Sequence, residues 1–278
     1  MQTEDVQVLG SEPRQDLRGT VTESHQHESN SQSSFSLKKQ IVLVFGLALA
    51  IVGYFGPWVD HKTAALVLTG QDMGEFVKFL PEVRAGTAPM IREFFYLPPF
   101  AAALCLILLM ASKRLTYPLV VRAVMLLAVL GLAWAMLPPV WTPQLLVTAE
   151  FRKQTVAIAF CLLLLIIHPV LRYLPPRRCP EPVACPEHSR REGLTAVALR
   201  QPFDFAQGRA QDIAMTVLAL LGAVPPLWQF FAIREAVNRA YGWPVQVGWG
   251  LWVTVLGFLI VMAGAVSARR GPNGREVW

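Results

Sequence analysis

Six stretches of this chain contain no Asp, Glu, Lys or Arg: Gln40–Val59 (20 residues), Phe94–Ser112 (19), Ala123–Ala149 (27), Gln154–Leu171 (18), Ile213–Ile233 (21) and Ala240–Ala268 (29). A hydrocarbon core about 30 Å thick is crossed by about 20 apolar residues of helix, at about 1.5 Å rise each. Backbone amides in lipid must find their partners inside the protein, so membrane spans are helices or closed barrels. A barrel requires alternating segments of about 10 residues. Runs such as Ala101–Met110 and Cys161–Ile167 do not alternate. The expected fold class is therefore all-α: a polytopic membrane protein with six transmembrane helices.

Composition agrees. Of 278 residues, 54% are hydrophobic and 16% charged, against about 25% charged in soluble domains. The net charge of +6 fits basic residues flanking membrane helices, and no nucleic acid is expected as a partner. The expected surroundings are the lipid bilayer of a bacterial cytoplasmic membrane.

The chain divides into a polar tail (1–36), helices 1–4 (37–176) with an outer loop at 60–93, a low-complexity insert (177–211), helices 5–6 (212–269) and a short tail (270–278). The first tail is rich in Ser, Gln, Glu and His, a composition that buries too little apolar surface to offset its ordering entropy. The first apolar run starts at Ile41, too late and too long for a secretory h-region, so the first helix is expected to be retained. With both termini cytoplasmic, and leaving aside Arg14 and Arg18 of the first tail and Arg122 at a helix start, inner segments hold 14 Lys and Arg and outer segments hold 8, as the positive-inside bias requires.

On this topology Trp58, Trp134, Trp141, Trp228, Trp243, Trp249 and Trp252 fall on the outer side. They anchor helices in one leaflet or, on a sharper reading, form an outer aromatic cluster around a cavity. Two outer segments have amphipathic spacing and are expected as short helices on the membrane surface. In Asp72–Leu80, Asp72 would cap the helix, and Met73, Phe76, Val77 and Leu80 share a face up to Pro81. In Ile233–Tyr241 the face is Ile233, Ala236, Val237 and Tyr241.

Within the spans almost nothing can titrate. His168 lies near a helix end, and Cys105 and Cys161 read as small apolar packers. No catalytic constellation, metal set or phosphate-binding loop is recognisable, so neither an enzyme nor a cofactor is expected. The proline pairs Pro98–Pro99 and Pro225–Pro226 are candidate helix breaks, since each removes amide donors. They fall on corresponding helices if the six are divided three and three, the pattern of a transporter site built on interrupted helices. Small residues form stripes: Gly46, Ala50, Gly53 and Pro57 on the first helix, and Gly257, Gly264 and Ala268 on the sixth. Such stripes let backbones approach closely, in a compact bundle or a homo-oligomer.

The insert offers Cys179, Cys185 and His188, one ligand short of a tetrahedral zinc site. The strings CPEPVACPEHSRRE (179–192) and PFDFAQGRAQ (202–211) resemble translated copies of a dispersed palindromic DNA repeat of bacterial genomes. This resemblance covers residues 178–211 and implies an inert insert. The segment GPWVDHKTAALVLTGQDMGEFVKFLPEVRAG (56–86) resembles uncharacterised multi-pass bacterial membrane proteins over about 60 residues including the first helix, and that family implies no activity. The functional expectation is a non-enzymatic membrane subunit or scaffold with a membrane-protein partner. The alternative is a transporter or permease for a small, largely uncharged solute or lipid.

Overall fold

The first helix, α1 (Lys38–Phe55), stops where Gly56 and Pro57 enter, because proline cannot donate the next amide bond. Pro57 instead opens a strand, one of the positions in a sheet that tolerates its missing N–H. The computed structural model describes residues 38–61, 66–87, 90–112, 118–137, 142–173, 189–242 and 244–267. Within the helices, the side chains of 168–173 and 189–208 lie outside that description.

The described chain is mostly helical, with a three-stranded antiparallel sheet at one end. Strand β1 (Pro57–His61) pairs with β2 (Leu66–Thr69) and β3 (Gln246–Val247), in the order β2-β1-β3. A bulge at Trp58 separates the pairs Pro57↔Thr69 and Val59↔Leu68. After β2 come α2 (Gly70–Phe76), a 3-10 turn (Val77–Phe79), α3 (Pro81–Arg84) and a second 3-10 turn (Arg92–Tyr96) that leads into α4 (Leu97–Ala111). Then follow α5 (Leu119–Ala135), α6 (Pro143–Leu146), α7 (Arg152–Tyr173), α8 (Ser189–Tyr241), β3 and α9 (Trp249–Ser267).

Four helical stretches are long and apolar enough to cross a membrane: Lys38–Phe55, Arg92–Ala111, Arg209–Ala240 and Trp249–Ser267. That is fewer than the six expected. The fifth, α5, is apolar but only 17 residues long, about 25 Å at 1.5 Å per residue. The sixth, α7, has 22 residues, about 33 Å by the same rise, but its side chains are described only to Ile167.

The α1 and α9 stripes of small residues meet each other. Gly46 lies against the carbonyl of Gly257 and the side chains of Ile260 and Val261, Gly53 against Gly250 and Thr254, and Gly264 against Val42 and Leu43. The two helices therefore run antiparallel at backbone contact, a geometry that only small residues permit. Thr254 turns its hydroxyl back to the Gly250 carbonyl at 2.8 Å, so it adds no unpaired polar group to the seam. α4 is the central helix. Every residue from Ala101 to Ile107 is buried, as expected of a helix apolar on all sides.

Neither proline pair breaks a helix. Pro98 and Pro99 lie in the first turn of α4, where the amides have no intrahelical acceptor in any case. Pro225 and Pro226 sit inside α8, which continues through them. Their cost is the lost donors to the carbonyls of Leu221 and Gly222. The interrupted-helix symmetry therefore does not hold. Replacing both Pro225 and Pro226 by alanine restores two amide donors, each proline costing about 3 kcal/mol in a helix interior. Against this stands about 1–2 kcal/mol for the methylenes lost at buried Pro226. The double variant is expected to keep its fold and to melt higher in detergent. A lower midpoint would mean that the prolines set the course of α8.

Within the insert, the backbone from Ser189 to Gln211 is helical and continuous with the span of α8. Cys179, Cys185, His188 and the two tails fall outside the described residues, as does the His168 side chain.

Candidate functional site

The end of the molecule that carries the sheet forms a head with its own core. Trp58 is its centre. Tyr54 of α1, Phe95 of the second 3-10 turn and Phe230 of α8 surround it edge-on, with ring centroids 6.2, 6.1 and 6.2 Å away. Its indole N–H donates to the Gly53 carbonyl at 3.2 Å, which satisfies the one polar atom of a fully buried tryptophan.

The 72–80 segment packs into this core. Its cap is Thr69, not Asp72. The Thr69 hydroxyl accepts from the Asp72 amide at 3.3 Å, and the Asp72 carboxylate accepts from the Thr69 amide at 3.1 Å. This is a reciprocal capping box with Asp72 at its third helical position. The expected apolar face is real: Met73, Val77 and Leu80 are buried beside Trp58, with Phe76 packed at the edge. Segment 233–241 is likewise not a separate surface helix. It is the end of α8, with Ile233, Ala236 and Val237 in the same core.

The helix α2 carries Glu75 to a polar junction between the head and the bundle. Glu75 accepts from Lys78 at 2.7 Å, from the Tyr96 hydroxyl at 2.7 Å, and pairs with Arg92. The other arm of Arg92 reaches Glu150 at 3.2 Å, and its guanidinium lies over the Phe151 ring, 4.6 Å from the centroid. Glu93 pairs with Lys153 at 2.7 Å. The side chains of Arg92 and Glu75 are only 14% and 16% exposed, which separates them from surface ion pairs of little consequence. Burial opposes ionisation of Glu75, but the hydrogen bonds from Lys78 and Tyr96, with the charges of Arg92 and Lys78, outweigh it. Its carboxyl is held below its ordinary value of 4.5.

A carboxyl whose folded value is depressed stabilises the fold above its unfolded value, and that contribution is lost as pH falls through the folded value. The stability difference between wild type and Glu75→Gln is therefore expected to be full above about pH 4.5 and to shrink on acidification. Chemical or thermal unfolding across the acid range would measure it. A difference independent of pH would show that folding does not lower the Glu75 carboxyl.

Below this junction a crevice of about 210 Å³ opens between α4, α5 and α7. Its lining is apolar at Leu97, Phe100, Met136 and Ala157 and charged at Arg92, Glu93, Glu150 and Lys153, which lie at or just before the starts of α4 and α7. Gln154, buried at its side, donates to the Met136 carbonyl. A second buried glutamine, Gln229 of α8, accepts from the Ile91 amide at 3.1 Å. These glutamines escape a search restricted to charged residues, yet each ties an element end in place.

The tryptophans divide. Trp58 is fully buried, whereas Trp228, Trp249 and Trp252 are 55%, 53% and 52% exposed and stand on the exterior with Trp134. Trp228 lies beside Phe94, and Trp252 beside Phe231, with centroids 6.1 and 6.5 Å apart. Trp141 and Trp243 lie outside the described residues. Cys105 and Cys161 are buried and free. Comparison of the chain with protein-family models, with curated proteins and with solved structures finds no match.

Proposed function

We propose that this chain is a six-span protein of a bacterial cytoplasmic membrane, with both termini cytoplasmic, and that it acts as a non-enzymatic subunit whose outer head docks a membrane partner. Six crossings are supported by the way helix ends collect at the head. Arg92 before α4 meets Glu150 before α7, Met136 after α5 meets Gln154 of α7, and Gly53 of α1 meets Gly250 of α9. At the opposite end Gln211 of α8 donates to the Leu108 carbonyl of α4 at 2.9 Å. The excess of basic residues on the other side supports an outward-facing head.

The observation that carries the subunit reading is the head itself. It has a separate aromatic core and is fastened to the bundle by the half-buried Arg92–Glu75 pair and its neighbours, so it presents a rigid surface. That surface includes Val67 on the edge strand β2 and Phe79, both more than half exposed. Lys78 and Arg84 lie 5.3 and 5.7 Å from the Phe79 ring centroid. An exposed aromatic framed by cations suits a partner bearing acidic groups.

Purification from native membranes in a mild detergent tests this. The expected result is a stoichiometric partner that is lost on Phe79→Asp while the protein itself stays folded. A protein that purifies alone under the same conditions overturns the subunit reading. Labelling of cysteines placed in the 60–93 segment from the cytoplasmic side would overturn the topology.

A further inference from the structure

We propose that the crevice between α4, α5 and α7 binds a zwitterionic phospholipid, with its phosphate and ammonium at the charged mouth and its upper acyl chain on the apolar lining. The crevice is graded as such a molecule is. Leu97 and Phe100, in the first turns of a membrane-spanning helix, are part of its apolar lining, and the four charged side chains lie at or just before the starts of α4 and α7. Its volume of about 210 Å³ matches about seven groups of water size, at about 30 Å³ each. That accommodates the glycerol region and the start of one chain, with the remainder lying in the bilayer.

The mouth selects the headgroup. Arg92 spends its two terminal nitrogens on Glu75 and Glu150, and its Nε–H is buried without an acceptor. That Nε has no accessible surface, so Arg92 draws a phosphate by its charge and not through this atom. Lys153 is mostly exposed and offers a second cation. The carboxylates of Glu93 and Glu150 balance these two charges. A purely anionic head therefore meets as much repulsion as attraction, whereas a head that also carries an ammonium can place it against Glu150, which is 57% exposed. The inference goes beyond partner docking and does not depend on it, because a protein that purifies with no partner protein still has this crevice.

Binding of three single-chain lauroyl lipids to the delipidated full-length protein tests the proposal, read by native mass spectrometry. The probes are lysophosphatidylethanolamine, lysophosphatidylglycerol and monolaurin. Lysophosphatidylethanolamine is expected to bind at least tenfold tighter than the other two. Ala157→Leu, which fills the crevice, is expected to weaken it at least tenfold, with the melting of the unliganded protein unchanged. Glu150→Gln, at the mouth, is expected to reduce the preference for ethanolamine over glycerol without removing binding. Equal affinity for all three lipids, or binding that survives Ala157→Leu, overturns the site. Equal affinity for the two phospholipids overturns the assignment of the headgroup.

Discussion

Replacing Gly257 by valine is expected to unseat α9 from α1 and to remove most of the folded protein. Even a single Cβ at this position would lie 2.6 Å from the Gly46 carbonyl oxygen and 2.7 Å from the Ala50 Cα. Both are backbone atoms and cannot turn aside, so the helices themselves must separate. Overpacking in a well-ordered core typically costs 1–3 kcal/mol and occasionally more. A clash between two backbones belongs at the upper end, about 3 kcal/mol. Gly53→Val should behave alike, because its Cβ would lie 2.7 Å from both the Gly250 carbonyl and the Thr254 hydroxyl. Gly131 of α5 is the control. A Cβ there meets nothing within 4 Å, so Gly131→Ala is expected to be neutral or to stabilise by up to about 1 kcal/mol through helix propensity. Size-exclusion profiles and melting midpoints in detergent check all three. A well-folded Gly257→Val protein would show that the seam yields.

Arg92→Ala is expected to loosen the head from the bundle. It leaves Glu75 buried with only Lys78 and Tyr96 as partners, and frees Glu150 from its hold on the 92–96 turn. Removing one partner of a buried pair typically costs 3–5 kcal/mol, because the other charge remains. The partial exposure of this pair argues for the lower end, about 3 kcal/mol. Arg92→Lys is expected to recover little, since an ammonium cannot bridge two carboxylates with a planar fork. The double variant Arg92→Ala with Glu75→Gln removes both charges and should be more stable than Arg92→Ala alone. Unfolding measurements on the cycle are expected to give a coupling above about 1 kcal/mol. Additive single effects would mean that the pair is not energetically linked in the fold.

Local pattern made part of this architecture legible. Absence of charge over Phe94–Ser112 and Ala240–Ala268 marked α4 and α9, because charge is what lipid excludes most strongly. The spacing of Met73, Val77 and Leu80 marked an apolar helical face, and the small-residue stripes marked surfaces for close packing. In each case the pattern identified a face without saying what it meets. The 72–80 face was read as resting on a membrane, yet it covers Trp58. The cap was read one helical turn late, because Asp72 and Thr69 are both good capping residues and only the pairing of β2 decides where the helix starts. The proline pairs were overread. An amide donor removed in a first turn costs nothing, and one removed inside α8 is tolerated while neighbouring helices pack around it.

The candidate site was almost invisible. Glu75, Arg92 and Glu150 are far apart in the chain, and each alone is an ordinary charged residue near a helix end. Gln154 and Gln229 carry no charge and do not interrupt a hydrophobic run. What the sequence by itself determined is the material: apolar helices, four of them long enough to cross a membrane, and stripes where backbones can touch. These follow from transfer energies and helical periodicity, which are local. Only the tertiary structure decided that the first stripe meets the last and that one tryptophan is core while four others stand outside. It alone brought charges from two distant segments, 92–93 and 150–153, to the mouth of one crevice. Those pairings depend on which surfaces fit together across the whole bundle, and no single stretch of chain encodes that fit.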